Sequence, residues 1–222
     1  MNAPVGPTGL PETCRGGTDE SPAARFRLGV SAGVSATDLT FGTGPGAAIH
    51  EKSLGASLAW RASRRWTLSA SAGALTGGFL WPAGQPGLTL LPGPFGAVAG
   101  TFRILEGGKG LPFLTATASA SLLATQTQDA AGATTPLLAT DVKAAAIVGI
   151  TLWDRLSPYV GAAAFGGPVL WGPSDHRNTG TDNYHYQVLI GLSAALPAGL
   201  DAFLEGSPVG ERALTGGLGY AF

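Results

Sequence analysis

The chain has 222 residues, a formal net charge of −1 and a hydrophobic fraction of 45%, yet charged residues make up only 12% of it, against roughly 25% in ordinary soluble domains. A soluble β-protein covers its outer face with charged side chains, which this chain lacks, and the near-neutral charge gives no reason to expect nucleic-acid binding. The longest apolar run, Ala144 to Trp153, is about half of the ~20 residues that a membrane-spanning helix requires, so the remaining way into a membrane is a closed β-barrel.

Residues 1–23 contain prolines, glycines and acidic residues and almost nothing to bury, which is typical of a flexible leader. The start, Met1-Asn-Ala-Pro4, has neither the basic residues nor the apolar run of a signal peptide, which an exported barrel requires. We therefore interpret the sequence as a mature chain with an added start Met. Cys14 is the only cysteine, and we interpret it as incidental, with pairing to a partner as the alternative.

From Arg25 onward, apolar residues alternate with small or polar ones at a period of two, which is the spacing of strands with one apolar face. In the first segment, Phe26, Leu28 and Val30 lie on one face and Arg27, Gly29 and Ser31 on the other. Nine further segments repeat this alternation. The ten predicted strands are 25–35, 53–61, 66–73, 95–104, 112–122, 141–153, 158–169, 184–192, 200–206 and 211–222.

The last predicted strand, Glu211 to Phe222, has Leu214, Leu218, Tyr220 and Phe222 on one face, and the chain stops on the aromatic residue. This segment resembles the closing strand of bacterial outer-membrane β-barrels, which typically ends in Phe with an aromatic or apolar residue at every second place before it. Two short segments, 157–161 and 205–208, also resemble small barrels of myxobacterial type.

The connections between predicted strands alternate in length. Short turns are expected at 62–65, 106–110, 154–157 and 197–199, and long loops at 37–48, 76–93, 124–139 and 172–183. Outer-membrane barrels pair short periplasmic turns with longer outer loops in this way. We predict an all-β, transmembrane, antiparallel up-and-down barrel of ten strands over residues 24–222, located in the bacterial outer membrane. Eight strands is the alternative if 95–104 and 200–206 are miscounted.

Aromatic residues near the ends of strands predict an interfacial girdle on the outer face. The residues assigned to this girdle are Trp60, Trp66, Tyr159, Tyr184, Tyr220 and Phe222. Tyr159 is placed there because Tyr159, Gly161, Ala163 and Phe165 are assigned outward in the seventh strand.

The inward face carries mainly Gly, Ser and Thr, which predicts a narrow water-filled lumen in a ten-stranded barrel. Charged residues are expected at its two mouths: Arg25, Arg27, Arg61 and Arg103, with Asp201 as a partner, at the periplasmic mouth, and Asp141, Lys143, His185 and Glu205 nearer the outer mouth. A ring of arginines favours anions. The alternative is that these arginines only anchor the barrel at the membrane interface.

Some outer-membrane barrels are enzymes, and two sets of residues here are candidates for catalysis. Asp175-His176 and Asp182 with His185 resemble the Asp–His pairs of omptin-like proteases, but the family's other Asp pair is missing here. His50 with Ser53 is a poor match in spacing to the His–Ser pairing of lipid A deacylases. The four loop residues are also candidate ligands for a divalent metal, although nothing in the sequence fixes their geometry. We expect no catalytic site, no metal and no cofactor.

The expected function is that of a non-enzymatic structural or interaction component of an envelope assembly. The resemblance to myxobacterial barrels implies an envelope-spanning machine, such as that for surface motility. A small, passive, weakly anion-preferring pore is the alternative, and an outer-membrane hydrolase is the third possibility. The expected partners are outer-membrane lipid and lipopolysaccharide, together with envelope proteins that contact the outer loops or the leader.

Overall fold

The computed structural model describes residues 25–42, 46–108, 110–172 and 178–222. Within these residues, the strands form a single antiparallel sheet, and no helix is long and apolar enough to cross a membrane. The predicted leader with Cys14, and the loop residues Asp175 and His176, lie outside the described residues. The strands are β1 (Phe26–Phe41), β2 (Ala47–Arg61), β3 (Trp66–Pro82), β4 (Leu88–Leu90), β5 (Gly93–Gly108), β6 (Leu111–Gln128), β7 (Thr134–Ile150), β8 (Leu156–Gly166), β9 (Val169–Trp171), β10 (Asn178–Asp182), β11 (Tyr186–Ala195), β12 (Leu200–Gly210) and β13 (Arg212–Ala221).

Ten long strands form a closed ring. In chain order, β1, β2, β3, β5, β6, β7, β8, β11, β12 and β13 each pair with the next. The last strand then pairs back with the first, from Arg27 opposite Ala221 to Ala36 opposite Arg212. Closure leaves no edge, which is what a sheet in lipid requires because every backbone polar group must find a partner within the sheet. The prediction of a ten-stranded antiparallel barrel is confirmed.

The two ends of the barrel differ. The connections from β2 to β3, β5 to β6, β7 to β8 and β11 to β12 lie at one end, together with the start of β1 and the end of β13, and we call it the turn end. The opposite end is the loop end. Strands β1, β3, β6 and β7 continue well into the predicted loops there, so the predictions of loops over 37–48, 76–93 and 124–139 are wrong over most of their length. Threonine is frequent in these segments and favours strands.

The three short strands rearrange the sheet at the loop end. Strand β4 inserts between β3 and β6, and β9 and β10 connect β7 to β1. Because β5, β8, β11, β12 and β13 take no part in these pairings, the ring here consists of β1, β2, β3, β4, β6, β7, β9 and β10. The barrel therefore narrows from ten strands to eight towards the loop end.

An apolar cluster fills the interior of the narrow ring. Leu39, Leu80 and Leu137 are almost fully buried there and come from β1, β3 and β7. The rest of this loop-end cluster is Ala47, Ile49, Leu75, Leu90, Phe95, Leu123, Ala139 and Val169. Eight-stranded barrels are generally filled by their own side chains, which agrees with this cluster.

The outer face carries the exposed apolar side chains at alternate positions of the long strands, among them Leu28, Val98, Val142, Ile190 and Leu218. Strand β8 has the opposite orientation to that predicted. Its outward residues are Val160, Ala162 and Ala164, whereas Tyr159 and Phe165 are buried inside the barrel. The prediction failed because both faces of this strand carry small residues, so its alternation does not distinguish inside from outside.

A charge placed on the lipid-facing surface tests the orientation of the strands. We expect Ile190→Arg to destabilise the barrel by about 2–4 kcal/mol, because a guanidinium near the bilayer midplane loses its hydration. The free energy of unfolding is measured by urea titration in lipid vesicles. The same substitution at Ala130, an exposed position in the β6–β7 connection, is the control and is expected to have little effect. Equal losses at both positions would show that the outward assignment is wrong.

Candidate functional site in the barrel interior

Inward glycines lie beneath large side chains of neighbouring strands. Phe203 of β12 covers Gly217 of β13, such that a Cβ on the glycine would lie 2.5 Å from the ring. Phe113 covers Gly149 in the same way across β6 and β7. Phe95 reaches over Gly73 of β3. The prediction of a lumen lined by small residues is therefore incorrect at these places, because the space above each glycine is occupied by a ring.

Arg27 and Asp201 form a buried, bidentate ion pair near the turn end. The Nε of Arg27 donates to Oδ2 of Asp201 at 2.8 Å, and its Nη2 donates to Oδ1. The two residues lie on β1 and β12, which are separated by β13, and Gly219 of β13 lies between them. A Cβ at Gly219 would overlap the guanidinium, so only glycine lets the arginine cross this strand. The sequence predicted Asp201 as a partner of the arginines at this mouth without saying which one, and in the structure that arginine is Arg27.

Tyr159 and Glu205 repeat this arrangement on the neighbouring strands. The hydroxyl of Tyr159 on β8 donates to Oε2 of Glu205 on β12 at 2.9 Å. Strand β11 runs between them, and its Gly191 is opposite both residues. The ring of Tyr159 lies directly over Gly191. Tyr159 therefore does not belong to the outer aromatic girdle, and its role is to fill the interior and bond Glu205.

The four arginines predicted to form a ring all lie at the turn end but differ in exposure. Arg27 is buried in its ion pair, whereas Arg25 is exposed just before β1, where its carbonyl oxygen accepts a hydrogen bond from the backbone N–H of Arg61 at 2.8 Å. Arg61 and Arg103 are half-buried at the same end. Arg25 precedes the first strand, so the alternation does not place its side chain on the inward face, and the inward ring of four arginines stays a prediction.

The middle of the described interior is rich in carboxylates. Asp141 is buried and Lys143 half-buried, both on the inward face of β7 as predicted by the alternation. Three buried acidic residues were not predicted there: Glu51, which accepts a hydrogen bond from Ser35 at 2.9 Å, Asp182, which accepts one from Thr37 at 3.1 Å, and Glu211. Two of them could have been predicted from the alternation of inward positions, which continues from Gly55 back to Glu51 and from Ala213 back to Glu211.

Among the residues that the structure describes, the candidate catalytic side chains do not form a common site. His50 points outward and lies edge-on against Trp81, with ring centroids 4.9 Å apart, whereas Ser53 is on the inward face of the same strand. Asp182 is buried, and His185 is exposed just before β11 rather than inside the lumen. Within the described ranges, no group of His, Cys, Asp or Glu side chains is arranged to hold a metal ion.

The outward aromatic residues form two groups, one at each end of the strands. At the turn end, Phe26 stacks on Phe222, and Tyr220 also stacks on Phe222. Trp60 and Trp66 are exposed at the same end. At the loop end, the exposed aromatic residues are Phe79, Trp81, Tyr184 and Tyr186. Two aromatic bands with an apolar surface between them are typical of a barrel in a bilayer.

Known proteins give a comparison for this fold. No protein-family model matches the sequence, and no curated protein matches it. Among solved structures, the chain is similar to the outer membrane protease OmpT from Escherichia coli, with a TM-score of 0.52 and 9% identity over 90% of this chain and 98% of that one. The outer membrane protein OprG from Pseudomonas aeruginosa gives a TM-score of 0.46 and 11% identity over 90% and 96% of the chains. The translocator domain of the autotransporter NalP from Neisseria meningitidis gives 0.48 and 12% over 88% of each chain.

The chain has the fold of a bacterial outer-membrane β-barrel. At 9% identity, the similarity to OmpT concerns the fold alone. Together with the apolar band between two groups of aromatic residues, this fold places the protein in the bacterial outer membrane, as predicted. Because outer-membrane barrels have their short turns in the periplasm, we assign the turn end to the periplasmic side and the loop end to the outer side.

The ion pair between Arg27 and Asp201 gives a test of the interior. Either Arg27→Met or Asp201→Leu leaves one buried charge without its partner and is expected to lower the free energy of unfolding by about 3–5 kcal/mol. The double variant is expected to recover most of this loss, because it removes both charges. Arg65→Met, at an exposed position of the β2–β3 turn, is the control. The free energy of unfolding is measured in urea by tryptophan fluorescence. A loss in the double variant equal to the sum of the two single losses would contradict the pairing.

Proposed function

We propose that this protein is a non-conducting barrel that serves as a structural or interaction component of an envelope assembly. The observation that carries the proposal is the apolar cluster at the loop end, where Leu39, Leu80 and Leu137 occupy the narrowed ring. Water and ions avoid a passage that is filled by apolar side chains, because they lose their hydration without gaining polar partners. The interior is then a packed core that holds the barrel rigid.

The anion-preferring pore has less support. One of the four arginines on which that preference depends, Arg27, is neutralised by Asp201. The inward basic residues of the described part are Arg27, Arg61, Arg103 and Lys143, and they are outnumbered by the inward acidic residues Glu51, Asp141, Asp182, Asp201, Glu205 and Glu211. A lumen of this charge would attract cations rather than anions.

The outer surface supports an interaction role because alanines lie side by side in the middle of β6, β7 and β8, and we call this patch the smooth surface. Ala118, Ala144 and Ala164 lie in one row across β6, β7 and β8, and Ala146 is opposite Ala162 in the next row. Val142, Val148 and Val160 border this patch on β7 and β8. On the opposite side of the barrel, Val30 and Leu218 are exposed. In lipid, small residues let two protein surfaces approach closely, which favours packing through dispersion contacts. The resemblance to myxobacterial barrels suggests an envelope-spanning machine, such as that for surface motility, as the assembly.

Conductance across a planar bilayer tests the sealed interior. We expect the wild-type protein, verified as folded by its altered gel migration without heating, to give no current steps. A variant with Leu39→Ser, Leu80→Ser and Leu137→Ser is expected to conduct, because it replaces apolar side chains of the cluster with smaller polar ones. Current steps from the wild-type barrel would contradict the proposal and would support the function as a pore instead.

Photo-crosslinking tests the interaction surface. A photoreactive amino acid at Ala144 or Ala164 is expected to give a discrete protein adduct in native envelopes, because these residues lie on the smooth surface. The same group at Val30 or Leu218, on the opposite side at exposed apolar positions, is the matched control and is expected to react with lipid alone. Identical adduct patterns from both sides would argue against a protein partner at the smooth surface.

A further inference from the structure

At the loop end, the outer surface carries a row of side chains that have no part in packing the interior. Arg212 of β13, Ala36 of β1, His50 of β2 and Phe79 of β3 are opposite one another across four neighbouring strands. Arg212 and His50 are exposed and point outward. Because adjacent strands lie ~4.8 Å apart, these two polar side chains stand roughly 10 Å apart on either side of the small Ala36.

The next row towards the membrane has a different chemistry. Lys52 is opposite Val34, which is opposite Leu214. Lys52 is exposed and points to the same side of the sheet as His50. Together, Arg212, Lys52 and His50 surround the depression over Ala36, and their side chains offer two positive charges and an imidazole. We call this group the basic row.

Two grooves meet at the basic row. One has a volume of about 580 Å³ and is lined largely by apolar side chains, including Val34, Phe79 and Leu214. The other, of about 370 Å³, is more polar and includes Tyr184 and Tyr186. The two grooves share Ala36, His50, Pro208 and Arg212. The combined surface is therefore apolar on one side of the basic row and polar on the other.

The position of the basic row in the membrane identifies its environment. Phe79 is opposite His50 on the neighbouring strand, and Trp81, which contacts His50, is another of the loop-end aromatic residues. Such aromatic residues mark the level of the lipid headgroups. The apolar groove descends from this level along the surface that faces the acyl chains. Asp38 is the acidic residue of the polar groove, and it lies two positions beyond Ala36 along β1, away from the membrane.

We propose that these grooves bind a phosphorylated lipid of the outer leaflet. The phosphate lies over Ala36, where Arg212 and Lys52 supply positive charge and His50 supplies a ring N–H. The acyl chains occupy the apolar groove beside Val34 and Leu214. Charge complementarity selects an anionic headgroup, and the groove that continues from it into the bilayer selects a ligand with apolar chains over a free phosphate ion. Lipid binding at this surface does not depend on whether the barrel conducts.

Native mass spectrometry of delipidated, refolded full-length protein tests the proposal. The probe is a diphosphorylated, acylated glucosamine disaccharide, and the comparison ligands are the same glycolipid without phosphates and inorganic phosphate. We expect binding of the phosphorylated glycolipid, at least tenfold weaker binding of the dephosphorylated form, and no retention of inorganic phosphate. Equal binding of the two glycolipids would overturn the role of the phosphate, and retention of inorganic phosphate alone would overturn the assignment to a lipid.

Substitutions in the basic row locate the site. Arg212→Gln and Lys52→Gln are each expected to weaken binding about fivefold, as one basic residue near an anionic lipid headgroup contributes. Arg212→Lys keeps the charge and is expected to retain most of the affinity. Arg64→Gln with Arg65→Gln removes two exposed charges at the turn end, in the other leaflet, and is the matched control. An unchanged affinity in the Arg212→Gln and Lys52→Gln double variant, or an equal loss in the control, would overturn the site.

Ala36→Leu gives a second test that leaves every charge in place. A leucine at this position fills the depression between Arg212 and His50 and is expected to weaken binding of the phosphorylated glycolipid by steric exclusion. Because Ala36 points outward, the interior of the barrel is unaffected, and gel migration without heating verifies the fold of each variant. Full affinity in the folded Ala36→Leu protein would overturn the placement of the phosphate.

Discussion

The pairing of the first strand with the last is the interaction on which the whole structure depends. Strands β1 and β13 pair from Arg27 opposite Ala221 to Ala36 opposite Arg212. The backbones of Phe26 and Phe222 exchange two further hydrogen bonds at the turn end, and their rings stack. Without this pairing, two sheet edges would face lipid, where an unpaired backbone N–H or C=O has no water to bond. Closure also creates an enclosed interior, and the inward side chains must fill it.

The interior is filled by complementarity between strands. A glycine on one strand accommodates a large residue from the next, as Gly217 does for Phe203, or lets a side chain cross it, as Gly219 does for Arg27. The crossing residues then bond two strands away, in the pairs Arg27–Asp201 and Tyr159–Glu205. These bonds link β1, β8 and β12 through the inside of the barrel, in addition to the hydrogen bonds of the sheet. At these positions, side chains fill the interior of the ten-stranded barrel.

The change from ten to eight strands has consequences on both surfaces. On the inside, the narrow ring brings Leu39, Leu80 and Leu137 together, which is the basis for a non-conducting barrel. On the outside, β12 ends and β13 starts before they reach this ring. The grooves at Arg212 lie beside the connection between these two strands. The same rearrangement of strands therefore underlies both proposals, the non-conducting interior and the lipid site. The smooth surface of β6, β7 and β8 lies elsewhere on the barrel and is available to a protein partner.

The sequence by itself determined the membrane barrel, its ten long strands and the orientation of most of them, because charge depletion and the period of two are local properties of the chain. It also predicted Asp201 as a partner of the arginines at this mouth, but only the structure shows that Arg27 is the one it pairs with. Only the tertiary structure decided what fills the interior. Whether Gly191 leaves a space depends on the register that places Tyr159 beside it, and register is a relation between strands distant in sequence. For the same reason, the short strands β4, β9 and β10, and with them the eight-stranded ring, could not be predicted from local alternation.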